Sequence, residues 1–241
     1  MSTRWFSYPD ERAAAEACAR HIQARLEEAL SGRSYATLAL SGGTTPRPLF
    51  EILAGTRFPW HQVHLFWVDE RAAPPTDAAS YYRMAAECFI LPARIPARNV
   101  HRIQGELAPE VAARRYVQEI RHFFGLDPGE MPRFDVVHQG VGVDGHTASL
   151  FPGDPLLEDR ENIAAAVYVQ KLGQWRITLL PGVLLAPGHT VFLVTGADKA
   201  DIVRAVFQEP YDPKRLPAQI ASHHGRSVTW FLDREAARLL E

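Results

Sequence analysis

A chain of 241 residues with 46% apolar side chains can bury a sizeable core, and 26 basic against 28 acidic residues leave a formal charge of −2. No stretch gathers five or six like charges, which argues against non-specific nucleic-acid binding. No segment is apolar for the eighteen residues of a membrane span, and the N-terminus lacks a signal-peptide core, so a soluble, cytoplasmic protein is expected. Cys18 and Cys88 are far apart in helical stretches and read as buried or idle thiols, not as a zinc pair or a disulfide.

In chain order, Asp10 is placed to cap a long Ala-rich helix that ends at Ser31-Gly32. Five short apolar or β-branched runs follow: ATLAL (36–40), VHLFWV (63–68), FDVVHQ (134–139), TVFLVTG (190–196) and SVTWFL (227–232). Most are separated by helix-length segments: PLFEILAG, AASYYRMAAECFI, PEVAARRYVQEIRHFFG, DKADIVRAVFQ and the terminal DREAARLL. That alternation predicts a mostly parallel α/β sheet covered on both faces. With no repeat, low-complexity tract or clear linker, residues 1–241 are read as a single domain.

Ligands of open parallel sheets bind beyond the carboxyl ends of the strands, so the residues after each predicted strand carry the functional reading. SGGTTP (41–46) follows ATLAL and suits either a phosphate on free backbone N–H groups or a tight turn with a Ser/Thr cap. Asp69-Glu70-Arg71 follows VHLFWV, where Arg71 either neutralises Glu70 or grips an anion.

GVGVDGHTASLFPG (140–153) follows FDVVHQ. There His146 is a candidate general base or a structural turn residue, and the N–H groups of Gly142 and Gly145 are candidate oxyanion donors. His138, inside the strand, reads as packed core. Lys199 in GADK either caps an anionic pocket or is solvated, and Arg176 in WRITLL either snorkels or meets an anion. No metal motif or nucleotide loop is present, so neither a metal nor a cofactor is expected.

Together, SGGTTP, DER, GVGVDGHTASLFPG, RITL and GADK resemble the 6-phosphogluconolactonase family over nearly the whole chain. That resemblance implies a three-layer α/β fold shared with glucosamine-6-phosphate deaminases and ribose-phosphate isomerases. It also implies hydrolysis of 6-phospho-D-glucono-1,5-lactone in the pentose phosphate pathway, with a sugar-phosphate lactone as partner. His146 would be the base and Asp144 and Asp69 orienting residues. Ser41, Gly42, Gly43, Thr44, Arg71 and Lys199 would meet the phosphate, with Arg176 contacting it or supporting the loop.

Deaminases of similar fold are expected to read DGHIAFNEP and DEY where this chain has Leu150, Phe151 and Arg71. The two alternatives are such a deaminase and a non-catalytic sugar-phosphate sensor. One departure stands out: lactonases commonly have Ser-Asn where this chain reads Ser80-Tyr81. A monomer or weak homodimer is expected, with no nucleic-acid or membrane partner.

Overall fold

A computed structural model describes residues 2–240. Its strands are β1 Ser2–Tyr8, β2 Ala36–Leu40, β3 Val63–Trp67, β4 Asp69–Arg71, β5 Val100–His101, β6 Val136–Gln139, β7 Ala164–Val169, β8 Gln174–Leu179, β9 His189–Val194 and β10 Ser227–Asp233. The helices are α1 Glu11–Gly32, α2 Pro46–Ala54, α3 Tyr81–Ala85, α4 Pro109–Phe124, α5 Pro181–Leu185, α6 Ala200–Gln208, α7 Gln219–His224 and α8 Arg234–Ala237. No described helix is long and apolar enough to cross a membrane.

Seven strands form a parallel sheet in the order β1-β10-β9-β6-β2-β3-β5. Side-chain alternation shows that both faces are covered. Val191, Leu193 and Phe231 join the cluster containing the α1 residues Ile22 and Leu26, while Phe192, Val194, Trp230 and Leu232 join one containing Ile202 and Val203 of α6. The three-layer expectation therefore holds.

From β2 the chain proceeds outward through β3 and β5, then returns to β6 on the other side of β2 and proceeds through β9 and β10. The direction reverses between β2 and β6, so the loops leaving these two strands, SGGTT and GVGVDGH, diverge and leave a crevice between them.

Both ends of α1 follow the sequence: Asp10 accepts a hydrogen bond from the Ala13 N–H at 2.8 Å, and the helix stops at Gly32. Pro46 opens α2, as expected, but Thr45 provides no side-chain cap. The Ser/Thr-cap reading of SGGTTP is therefore not what the loop does. Asp69-Glu70-Arg71 is itself a strand, in an antiparallel sheet of order β4-β8-β7 that the sequence did not reveal. Cys18 and Cys88 are free and buried.

Candidate active site

A cleft of ≈ 200 Å3 opens at the reversal point, lined by residues 41–46, Asp69, Tyr81, His138, Gly140–Gly142, His146, Ala148, Leu193, Val194 and Lys199. It unites the loop after β2, the turn after β6 and the start of α6.

On the β2 side, Gly43 takes φ +112°, a conformation costly for a side chain. The N–H groups of Gly42, Gly43 and Thr44 have no protein acceptor among the described residues, and the Ser41 hydroxyl is buried and unpartnered. Free N–H groups at the start of α2 and the Lys199 ammonium line the same cleft, an arrangement that chemically suits an anion. Lys199 is only 3.8 Å from Asp198.

On the β6 side, His146 has its Nδ1 2.5 Å from Asp144 Oδ1, which also accepts the His146 backbone N–H at 3.2 Å. A carboxylate at Nδ1 fixes the neutral ring as the Nδ1–H tautomer and leaves the Nε2 lone pair unused. Burial pushes the imidazole down to about 4, with Arg176 and Lys199 acting in the same direction and Asp69 opposing them. The ring is therefore neutral near pH 7. Its side chain remains 28% exposed, and it stacks on Phe151 with centroids 4.2 Å apart.

The glycines of this turn do something other than expected. Gly142 N donates to His146 O at 2.8 Å, and Gly145 N donates to Gly142 O at 2.9 Å. Both N–H groups are thus consumed inside the turn, and neither is available to an oxyanion. Gly142 is required for another reason: a Cβ there would lie 2.0 Å from His146 Nδ1 and Cε1. The missing side chain is the seat of the imidazole. Gly145, at φ +86°, makes the turn itself.

Asp69 lines the cleft but is almost wholly buried, accepting from the Ser149 hydroxyl at 2.6 Å and lying 3.9 Å from Arg176 Nη1. Burial pushes its carboxyl up, opposed by that hydrogen bond and by Arg176. Arg176 is buried beside Asp69 and is absent from the cleft lining. Arg71 is also set back. Its Nη2 donates to Tyr81 Oη at 2.7 Å, its guanidinium carbon sits 4.1 Å from the Tyr81 ring centroid, and it faces a neighbouring cavity with Gly43, Thr44 and Arg47. Glu70 does not pair with Arg71's guanidinium; it accepts the backbone N–H groups of Arg71, Tyr81 and Tyr82 and so anchors α3.

His138 is 1% exposed, as expected of a packed residue, yet it lines the cleft and neither ring nitrogen has a hydrogen-bond partner. Among the described residues, no group of three or more His, Cys, Asp and Glu side chains is gathered as a metal site.

A family model described as glucosamine-6-phosphate isomerases/6-phosphogluconolactonase matches residues 9–230. The chain belongs to this family. A curated relative named 6-phosphogluconolactonase, from Synechocystis sp., is 36% identical over 220 residues, covering 91% of this chain and 90% of the relative. The crystal structure of 6-phosphogluconolactonase from Thermotoga maritima superposes with TM-score 0.83 at 28% identity, covering 96% of this chain and all of the other. A monomeric glucosamine-6-phosphate deaminase gives the same TM-score, 0.83, at 19% identity over 98% of this chain and 99% of the other, a likeness of fold alone.

Three residues to which the sequence assigned no role contact residues of the candidate site. Tyr81, at the position where lactonases commonly carry Asn, packs directly on Gly42: a Cβ at Gly42 would fall 1.9 Å from the Tyr81 ring. Ser149 fixes Asp69. Lys171, at the tip of the β7–β8 hairpin, forms an ion pair with Asp144 Oδ2. The position of Ser149 within DGHTAS was the only available signal for it, and Lys171 lay in no motif.

Proposed function

We propose that this chain hydrolyses 6-phospho-D-glucono-1,5-lactone to 6-phospho-D-gluconate, with His146 as the general base. The observation that carries this reading is the pairing, in one cleft, of a neutral imidazole oriented by Asp144 with the free N–H groups of Gly42–Thr44 and the Lys199 ammonium. The relatives' name, 6-phosphogluconolactonase, supports the same chemistry.

The phosphate binds at Gly42–Thr44 and Lys199, which places C1 of the lactone toward His146. Water attacks C1 while His146 Nε2 takes its proton. The tetrahedral intermediate then expels the ring oxygen, breaking its bond to C1, and His146 returns the proton to that oxygen. With the Gly142 and Gly145 N–H groups already bonded, the developing oxyanion is assigned to the Tyr81 hydroxyl. Tyr81 lines the cleft and accepts from Arg71 at 2.7 Å and Arg176 at 3.5 Å, leaving its own proton free to donate. Burial pushes its pKa upward, so that proton is retained. Arg71 and Arg176 thus act by holding Tyr81 and Asp69.

A deaminase is disfavoured because Leu150 is fully buried and Phe151 stacks on His146, so neither position offers a carboxylate to the cleft. The test is acid release from fresh phosphorylated lactone above the spontaneous rate, run beside unphosphorylated gluconolactone and an ammonia assay on glucosamine 6-phosphate. Preferred turnover of the phosphorylated lactone is expected. Ammonia release would favour the deaminase, and binding without turnover would favour a sensor.

A further inference from the structure

The hairpin joining β7 to β8 turns through Gln170–Leu172 and closes on Gly173 at φ +58°, so its tip is short and defined. Strand β8 pairs in turn with β4, Arg71 lying opposite Arg176 in register. The small antiparallel sheet is therefore a platform whose two ends reach the same site: β4 supplies Asp69, and the hairpin tip supplies Lys171.

Lys171 Nζ forms an ion pair with Asp144 Oδ2, its one carboxylate partner among the described residues. The other oxygen of that carboxylate receives the N–H groups of the His146 backbone and ring. Phe151 is shared, with His146 stacked on it and Lys171 Nζ 4.4 Å from its centroid. The four side chains form one cluster, and Asp144 is its centre.

Lys171 is 51% exposed, and an ion pair at such a place contributes little to folding. Its effect on Asp144 is larger in consequence. A carboxylate with one oxygen free can rotate about χ2, releasing the imidazole from its orientation. A carboxylate without a counter-ion also favours a protonated imidazole beside it. The other charges facing the ring are Asp69 from β4, Arg176 from β8 and Lys199 from the start of α6; Lys171 is the one that meets Asp144.

We propose that Lys171 is a positioning residue: it holds one oxygen of Asp144 so that the other fixes the His146 ring, and its charge keeps that ring from gaining proton affinity. Its consequence for turnover rests on His146 being the base; its consequence for the ring does not.

The test is an NMR titration of the His146 ring in the unliganded protein, with the resonance identified by its loss in His146→Ala. Wild type, Lys171→Met and Lys171→Arg are compared, and the pH profile of kcat/KM is recorded for each. In Lys171→Met the ring titration is expected to move up by about one pH unit, and the acid limb of kcat/KM with it, with KM little changed. Lys171→Arg should restore both. A ring that titrates in Lys171→Met as in wild type overturns the proposal, as does a shift that arginine does not reverse. A ring that moves while the rate limb stays fixed supports the positioning role and overturns His146 as the base.

Discussion

Gly142 and His146 compete for the same small volume: a methyl group on Gly142 would sit 2.0 Å from the imidazole, and the two backbones are joined by a 2.8 Å hydrogen bond. The ring is therefore seated on bare backbone. Gly142→Ala should push it off that seat, and a displacement of about 1 Å at a reacting group costs on the order of 10²-fold in rate. Steady-state kcat with circular dichroism as a folding control checks this. A variant with normal turnover would show that the seat is dispensable.

Tyr81→Phe removes a hydroxyl and keeps the ring that packs on Gly42 and under Arg71. If that hydroxyl donates to the oxyanion, kcat falls by about 10²-fold or more while KM changes little. A rise in KM alone would instead mean that Tyr81 serves substrate binding through Arg71.

Burial holds the His146 pKa near 4, below the ordinary value of 6.5. A base must be unprotonated, so kcat/KM should fall as the pH drops through about 4 and stay level from there toward neutrality. An acid limb in the unperturbed histidine range would contradict the buried, neutral ring. The profile is measured against the spontaneous hydrolysis rate at each pH.

Lys199 lines the same cleft as the unpartnered N–H groups of Gly42–Thr44. Lys199→Met should raise KM for the phosphorylated lactone about 10-fold or more, the scale of a lost charge-assisted hydrogen bond, and leave unphosphorylated gluconolactone unaffected. Equal losses on both substrates would place Lys199 at the reacting carbonyl instead.

The parallel sheet was legible because its inner strands are short and largely apolar, as VHLFWV is, and four motifs of the candidate site could be placed because they follow strands β2, β3, β6 and β9, whereas RITL lies in β8, which was not read as a strand. β1 was missed because STRWFSY mixes polar and aromatic residues on an edge strand, and β7 because AAAVYV is dominated by alanine. With β8 also outside the five runs, the hairpin was concealed and with it Lys171. The oxyanion assignment failed for a different reason. Glycine spacing reports backbone freedom, and only coordinates show that the Gly142 and Gly145 N–H groups are bonded within their own turn. Tyr81 was noticed as a departure, but its contacts with Gly42 and Arg71 bring together segments thirty-nine and ten positions away in sequence.

The central claim is that the His146 imidazole moves the proton in lactone hydrolysis. The direct measurement is kcat of His146→Ala on fresh 6-phospho-D-glucono-1,5-lactone, with the spontaneous rate subtracted. A loss of about 10²- to 10⁴-fold with KM and melting temperature nearly unchanged is the expected result. Turnover near that of the wild type would contradict the account.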